Sequence, residues 1–330
     1  MSHAATLAEA NNAFALRLYQ DLMKAEPKEN VFFSPFSIET ALAMTHLGAR
    51  GNTAAQMKSS LKLDGFADEH VHQTISDFCG ILKSEGKDYQ LQVANRLFAR
   101  QGHGFLDEFL TSTRKYYDAE AQNLDFANDP EGSKKAMNDW VEEQTAKKIT
   151  DLVTEVDPMI AMVLVNAIYF KGDWEEQFDP QNTHSADFSV TEEEVIQVQM
   201  MFRDDSFNTG YSPDLEAMSV ELPYKGGDLS MVCILPSRPN SLSELESKLT
   251  AENIKPLLEC PDNMKMMVHL PKFKLEYKVD LEKRLSDLGM ADAFKMGVAD
   301  FSGMDGSLDI YLSKVNNIGV LYMVPKIRRN

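Results

Sequence analysis

The chain has 330 residues, of which 33 are Lys or Arg and 51 are Asp or Glu, so its formal net charge is −18. An acidic field of this size repels nucleic acids and anionic membranes, which excludes both as expected partners. Hydrophobic residues make up 43% of the chain, which is enough for a large core and excludes an intrinsically disordered protein.

The N-terminal residues predict an amphipathic helix and no secretory signal. Leu7, Phe14, Leu18 and Leu22 recur on one helical face, and Glu9 interrupts the apolar run that a signal peptide needs. The chain has three cysteines, an odd number, and no Asn-x-Ser/Thr sequon. These features predict a cytoplasmic, reduced protein, with an extracellular location after unconventional release as the alternative.

The first half of the chain has mainly helical patterns. A short apolar strand is predicted over residues 31–33, and Ser34 then has the side chain and position of a helix N-cap. Thr53 and Gln56 have the spacing of a capping box at the start of the next helix. Two more helices are predicted, over residues 107–117 and 133–149.

The hydrophobic period then changes from helical to strand-like. Residues 159–170 are almost wholly apolar and rich in β-branched side chains, which predicts a strand buried on both faces. Asn166 is the exception, and because a buried amide needs hydrogen-bond partners, we expect it to tie elements together. Shorter strands are predicted over residues 229–235 and 266–270, and Cys233 in the first of them is expected to be a buried thiol. Helices first and strands later, without a repeat or a long linker, predict a single α+β domain.

No motif supplies an active site. The chain has neither a Gly-x-Ser-x-Gly elbow nor a phosphate-binding loop, and "GHGFLD" at Gly102 lacks the third glycine of a dinucleotide fingerprint. His70 and His72 are two residues apart, but the segment around them has a helical pattern, so the two side chains should diverge and hold no metal. We therefore expect neither an enzyme nor a cofactor.

Six segments of the chain occur in the order found in one known family. They are "NVFFSPFSIETALAMTHLGARGNTAAQM", "NDWVEEQTAKKITDLV", "LVNAIYFKGDWEEQFDPQNT", "VELPYKGGDLSMVCILP", "LPKFKLE" and "LGMADAFKMGVADFSGM". On these segments the chain resembles the serpin family, closest to its intracellular, ovalbumin-like branch. The resemblance covers residues 6–315 and implies one domain over residues 1–330, with helices packed on three β-sheets.

The resemblance implies inhibition of serine or cysteine proteases by a suicide-substrate trap. A protease cleaves an exposed reactive loop, which then inserts into the central sheet as a new strand and distorts the acyl-enzyme. The resemblance also implies roles for five residues. Ser34, Ser37 and Asn166 match the polar shutter beneath the opening sheet. Trp174 matches the breach where the loop enters, and Lys272 matches a lysine that pairs with a glutamate at the base of the loop.

The last segment, residues 316–330 with the sequence "NNIGVLYMVPKIRRN", departs from the family pattern. Relatives continue with a histidine-containing strand, a glutamate-rich hinge, the reactive loop and two apolar strands. Asn317 stands about where the shutter histidine is expected, and no reactive-site bond can be assigned. Apolar residues from Ile318 to Val324 predict a fifth strand of the main sheet that is buried on both faces and ends before Pro325.

Three functions remain open on the sequence alone. The first is a non-inhibitory, truncated or splice form that acts by binding a peptide or protein partner over its exposed sheet. The second is a serine or cysteine protease inhibitor that works through another surface. The third is an enzyme, for which the sequence supplies no motif.

Overall fold

A computed structural model describes residues 3–27, 29–82, 87–191 and 193–323. The chain forms two compact units. The first comprises Met1–Lys83, Leu91–Tyr169 and Leu275–Val320, and the second comprises Ser84–Gln90, Phe170–Lys274 and Leu321–Asn330. A single domain over residues 1–330 therefore stays a prediction.

Helices dominate the N-terminal part of the described chain. Along the whole described chain, the α-helices are α1 His3–Ala25, α2 Pro35–His46, α3 Gly51–Ser60, α4 Asp68–Leu82, α5 Asp107–Tyr117, α6 Pro130–Gln144, α7 Leu242–Lys248, α8 Lys255–Glu259, α9 Glu282–Leu285 and α10 Ser302–Asp305. The apolar face predicted for α1 is confirmed, since Leu7, Phe14, Leu18 and Leu22 are all buried. None of the described helices combines the length and the apolar character needed to cross a bilayer.

The strands form two five-stranded sheets. They are β1 Tyr89–Arg100, β2 Ala121–Leu124, β3 Met162–Gly172, β4 His184–Ser189, β5 Val195–Ser212, β6 Ala217–Pro223, β7 Ser230–Pro236, β8 Asp262–Pro271, β9 Phe273–Asp280 and β10 Leu312–Met323. The central sheet has the order β2-β1-β3-β10-β9. Every residue of β3 from Met162 to Tyr169 is buried, which confirms the strand predicted there. β10 lies beside β3, which confirms the fifth strand predicted after Val315; Val324 and Pro325 lie outside the described residues.

The second sheet has the order β4-β5-β6-β7, with β8 paired to the other edge of β5. β5 is long enough to serve two regions. Its first residues pair with β4 as far as Met200, its last residues from Thr209 pair with β6, and β8 runs beside it from Met200 to Thr209. The second and third sheets that the resemblance implies are therefore continuous through β5 and β8.

The predicted capping box at the start of α3 is wrong. Arg50 occupies the N-cap and makes no side-chain cap hydrogen bond. Thr53 Oγ1 instead accepts a hydrogen bond from Asp300 N at 3.0 Å, and Gln56 Oε1 accepts one from Asp292 N at 2.9 Å. Backbone groups distant in sequence compete for the same side-chain oxygens, and in this fold they replace the local cap.

The helix predicted over residues 133–149 begins earlier, at Pro130, because Asp129 caps its first turn, and it ends earlier, at Gln144. Val141 is buried on this helix, α6. Trp140 on the same helix lies against Arg96 of β1, whose guanidinium carbon is 4.8 Å from the centre of the indole. This distance is within the range of a cation–π contact.

Candidate functional site

Ser34 begins the polar site by capping α2. Its backbone is extended, and its Oγ accepts a hydrogen bond from Ser37 N at 3.2 Å, as the sequence predicts. Residues 31–33 before it form no strand, which corrects the strand predicted there. Their apolar side chains instead pack, partly buried, against the helical core, and this packing accounts for the apolar run.

A row of buried polar side chains crosses the central sheet. Asn166 on β3 lies with its Nδ2 2.5 Å from Ser37 Oγ of α2 and 2.5 Å from Asn95 Oδ1 of β1. On the other side, Asn317 Nδ2 of β10 donates to Asn166 Oδ1. Ser37, Asn166 and Asn317 are all at most 1% exposed. The expected role of Asn166 as a buried tie is confirmed, since it joins one helix and three neighbouring strands.

Asn317 is the weak member of this row. Its Oδ1 is buried and has no hydrogen-bond partner among the described residues. A buried acceptor left unpaired costs about 1–3 kcal/mol relative to one that is satisfied. The row therefore holds β10 to β3 through one amide hydrogen bond at Asn317, and the other half of that amide contributes no stabilising bond.

Glu39 adds a buried acid to the same helix, two residues after Ser37. Its side chain is inaccessible to solvent, and Oε2 accepts a hydrogen bond from Asn11 Nδ2 at 2.5 Å. Oε1 has no partner in the described part of the chain. Burial raises the pKa of Glu39 to about 8, against a smaller lowering by the Asn11 hydrogen bond, because a buried carboxylate loses its hydration. Glu39 is therefore mainly protonated at neutral pH.

Trp174 belongs to an aromatic cluster in the second unit. Its ring stacks on Tyr224 with centroids 4.6 Å apart and planes 7° apart, and Phe178 meets it edge-on at 6.2 Å. Burial raises the pKa of the Tyr224 hydroxyl, so this group stays neutral over the physiological range. Gly172 approaches Tyr224 so closely that a Cβ there would lie 2.6 Å from Cδ1 of the ring.

Arg203 completes this cluster from β5. Its guanidinium carbon lies 4.6 Å from the ring centre of Phe207 and 5.8 Å from that of Phe178. One guanidinium nitrogen donates to the Glu176 carbonyl oxygen at 2.7 Å. The cation therefore links two aromatic rings to the backbone beside Trp174, a role that isolated sequence positions do not reveal.

Lys272 follows β8 in the second unit. Its backbone N–H donates to the Gln199 carbonyl oxygen at 2.8 Å, which continues the pairing of β8 with β5. The side chain is half-buried, and no carboxylate of the described residues lies within ion-pair distance of it. The resemblance gives Lys272 the place of the breach lysine but leaves it without the partner glutamate, and this role at the breach stays a prediction.

Of the five predicted site residues, the structure brings Ser34, Ser37 and Asn166 together in the first unit. Trp174 and Lys272 belong to the second unit. Sequence reasoning missed Asn95 and Glu39. Asn95 stands in an alternating strand, where it cannot be told from a surface residue. Glu39 did leave a signal, because it is the only acidic residue of α2, within a largely apolar sequence.

A family model described as Serpin (serine protease inhibitor) matches residues 9–323 of the chain. The chain belongs to the serpin family. The family match therefore confirms the resemblance of this serpin that the six segments indicated. The match also extends beyond residue 315, so that residues 316–323, which were expected to diverge, form part of it.

Named relatives and a solved structure agree with the family. Serpin B6 of Macaca fascicularis is 45% identical over 316 residues, which cover 94% of this serpin and 83% of the relative. Leukocyte elastase inhibitor of Bos taurus is 42% identical over 317 residues, with the same coverage. The crystal structure of uncleaved ovalbumin superposes with a TM-score of 0.90 at 29% identity, over 98% of this chain and 88% of ovalbumin. The predicted α+β serpin fold is confirmed.

Proposed function

We propose that the central sheet of this serpin accepts an added strand between β3 and β10. We also propose that the 330-residue chain acts by binding and forms no covalent protease complex. The main support for the added strand is that β3 and β10 are neighbours in the sheet and are joined by the Asn317–Asn166 hydrogen bond. Ser34, Ser37 and Asn166 act in this proposal as the shutter, and Trp174 and Lys272 as the breach.

The weakness of the polar row at Asn317 supports an opening at this position. A strand that enters between β3 and β10 breaks the Asn317–Asn166 bond, and Asn317 Oδ1 has no other partner to lose among the described residues. The new strand also breaks the backbone ladder between β3 and β10, but it forms a ladder with each of them, so the number of ladder bonds rises. The side-chain bond that is lost contributes only about 0.5–1.5 kcal/mol net. Opening at this row is therefore energetically accessible.

The sequence of residues 325–330 supports binding without covalent trapping. These residues read Pro-Lys-Ile-Arg-Arg-Asn, in place of the glutamates and small residues that the resemblance implies for a hinge. Pro325 has no N–H to donate to a strand ladder. These residues lie outside the described part of the chain.

A second candidate function is inhibition of a serine or cysteine protease through another surface. The name of the bovine relative, leukocyte elastase inhibitor, favours it. We expect no enzymatic turnover, because the family model describes inhibitors of proteases. We also propose that the protein acts in the cytoplasm.

Incubation with a panel of serine and cysteine proteases, followed by denaturing gels, tests the first proposal. We expect no band at the summed mass, whereas the bovine leukocyte elastase inhibitor incubated with elastase serves as the positive control. A stable band at the summed mass would overturn the proposal. Loss of protease activity without such a band would favour the second candidate.

Uptake of a labelled 12-residue peptide rich in Thr and Val tests the open position in the sheet. We expect slow uptake by the wild-type chain, a higher melting temperature once the peptide is bound, and faster uptake by Asn317→Ala. Asn263→Ala, at an exposed position of β8, is the matched control and should behave as wild type. No uptake by either the wild-type chain or Asn317→Ala would contradict the added strand.

A further inference from the structure

Two histidines from neighbouring helices lie against each other on the surface of the first unit. His3 lies on α1 and His70 on α4, and their ring centroids are 5.2 Å apart with the planes tilted by 35°. Both residues are exposed, so solvent can reach the two rings. The helices that carry them are anchored in one core, because Leu7 of α1 and Val71 of α4 are buried in the same hydrophobic cluster.

This histidine pair has the spacing of two ligands on one tetrahedral metal ion. A zinc–nitrogen bond is about 2.0–2.1 Å long, so a ligating imidazole has its ring centre about 3.2 Å from the metal. Two such rings at the tetrahedral angle of about 109° have their centres about 5.2 Å apart. Ligands at the roughly 90° of a square-planar ion would have their ring centres only about 4.5 Å apart. The observed spacing of 5.2 Å therefore fits zinc.

A buried aromatic ring helps to position His3. Phe66 is 6% exposed, and its ring meets the His3 ring edge-on with centroids 6.2 Å apart. Because the His3 ring contacts both Phe66 and His70, it has less rotational freedom to lose when it binds a ligand. Each imidazole has two ring nitrogens, so one nitrogen of His70 can bind a metal while the other keeps a different contact.

The other histidine of α4, His72, has a different partner. Its ring meets that of His46 on α2 with centroids 5.8 Å apart, and its Nδ1 lies 2.5 Å from the Tyr117 hydroxyl oxygen. The spacing of 5.8 Å is wider than tetrahedral ligation needs, and the tyrosine already engages one nitrogen of His72. Of the two histidine pairs on α4, the pair of His3 and His70 is therefore better spaced for a metal.

We propose that His3 and His70 bind one zinc ion, which links α1 to α4. Imidazole nitrogen is a preferred zinc ligand, and the net charge of −18 attracts cations to the protein. Among the described residues, no group of three or more His, Cys, Asp and Glu side chains could hold a metal ion. Water molecules therefore complete the coordination of the zinc. The ion bridges two helices and stabilises the folded chain only while zinc is present.

Titration of the full chain with zinc tests the site, by calorimetry at neutral pH in a buffer that does not bind metals. We expect either His3→Ala or His70→Ala to raise the dissociation constant about tenfold or more. The double variant should bind no more weakly than either single variant, because one substitution already removes the pairing of ligands. His184→Ala, at an exposed position of β4, is the matched control and should bind zinc as wild type does.

Two further measurements separate this site from zinc bound by the cysteines and from damage to the fold. Cobalt in place of zinc should give visible absorption without a thiolate charge-transfer band, and His3→Ala should remove that absorption. Saturating zinc should raise the melting temperature of wild type but not of His70→Ala. Without metal, both variants should melt as wild type does, because both side chains are exposed.

Four results would overturn the proposal. The first is a wild-type chain that binds no zinc. The second is zinc binding that both His3→Ala and His70→Ala leave unchanged, which would mean an adventitious ion only. The third is loss of zinc binding in His46→Ala, which would assign the metal to the pair of His46 and His72. The fourth is a thiolate band from bound cobalt that persists in His3→Ala.

Discussion

Asn317 and Glu39 each bury an oxygen that has no hydrogen-bond partner among the described residues. Asn317 donates to Asn166 of the polar row, whereas Glu39 lies on α2 and accepts a hydrogen bond from Asn11 of α1. An unpaired buried polar atom costs about 1–3 kcal/mol, so the polar row stabilises the sheet less than a fully satisfied network would. At the position proposed to open, Asn317 therefore has a buried acceptor without a hydrogen-bond partner among the described residues.

The titration of Glu39 predicts how stability changes with pH. The folded pKa of about 8 lies above the ordinary value of 4.5, so the folded state keeps a proton that the unfolded state has lost between these values. The contribution is fully present below pH 4.5 and is lost as the pH rises through about 8. We expect the free energy of unfolding to fall by about 1.4 kcal/mol per pH unit from this group.

Urea unfolding of wild type and Glu39→Gln at several pH values between 5 and 8 measures this contribution. Glutamine has nearly the same shape as protonated glutamate and can accept the same hydrogen bond from Asn11. The difference in unfolding free energy between the two proteins should therefore grow with pH in favour of the variant. A difference that stays constant over this range would mean that Glu39 does not titrate there.

At the scale of elements, sequence patterns predicted the strands and helices that the core buries. β3 was found because an apolar, β-branched run can be satisfied only by burial on both faces. The capping box at Thr53 failed because Asp300 and Asp292, distant in sequence, supply competing backbone donors. β5 was not predicted, because much of it is exposed and its alternation is weak. Local pattern therefore predicts the core elements and loses accuracy where tertiary partners replace local ones.

The end of β3 supplies a prediction about the aromatic cluster. A Cβ at Gly172 would lie 2.6 Å from Cδ1 of Tyr224 and 3.1 Å from Cζ of Phe170, and both rings are largely enclosed. Gly172→Ala should push Tyr224 away from Trp174 and cost about 1–3 kcal/mol in unfolding free energy. Near-ultraviolet circular dichroism should report the changed ring packing.

Gly104→Ala is the matched control for Gly172→Ala. A Cβ at Gly104 meets nothing within 4 Å, so this variant should stay within about 0.5 kcal/mol of wild type. Equal stabilities for the two variants would show that Tyr224 can move without cost. The comparison thus isolates the close approach of strand and ring from the general effect of replacing a glycine.

At the scale of the whole molecule, the family was predictable and the site only partly so. The six ordered segments identified the serpin fold, and the family match then extended it to residue 323. Ser34, Ser37 and Asn166 were predicted as neighbours from the resemblance, and hydrogen bonds join Ser34 to Ser37 and Ser37 to Asn166. Asn95 completes their row through a side chain that a one-dimensional pattern cannot assign, since its partners lie on other strands.

The three cysteines give a prediction for the molecule as a whole. None of them forms a disulfide: Cys79 and Cys233 are half-buried, and Cys260 is 5% exposed. Cys233 was expected to be buried and is instead partly accessible, because β7 lies at a sheet edge. Fresh protein in denaturant should titrate three thiols per chain.

Without denaturant, Cys260 should be the slowest thiol to react. Burial raises the pKa of both Cys260 and Cys233, so access decides between them. Cys260 is buried and donates to the Leu257 carbonyl oxygen at 3.1 Å, whereas Cys79 and Cys233 are half-buried. Cys260→Ser should remove the slowest kinetic phase and leave the other two. Fewer than three thiols in denaturant would instead point to a disulfide and an oxidising compartment.

The stacking of Trp174 on Tyr224 also allows the two units to be followed by tryptophan fluorescence. The chain has only two tryptophans, and one belongs to each compact unit. Trp140 lies against the charged Arg96 in the first unit, whereas Trp174 is enclosed by aromatic rings in the second. The two indoles therefore differ in polarity and in nearby quenching groups. Each unit carries its own fluorophore, and the emission spectrum distinguishes units that melt together from units that melt in turn.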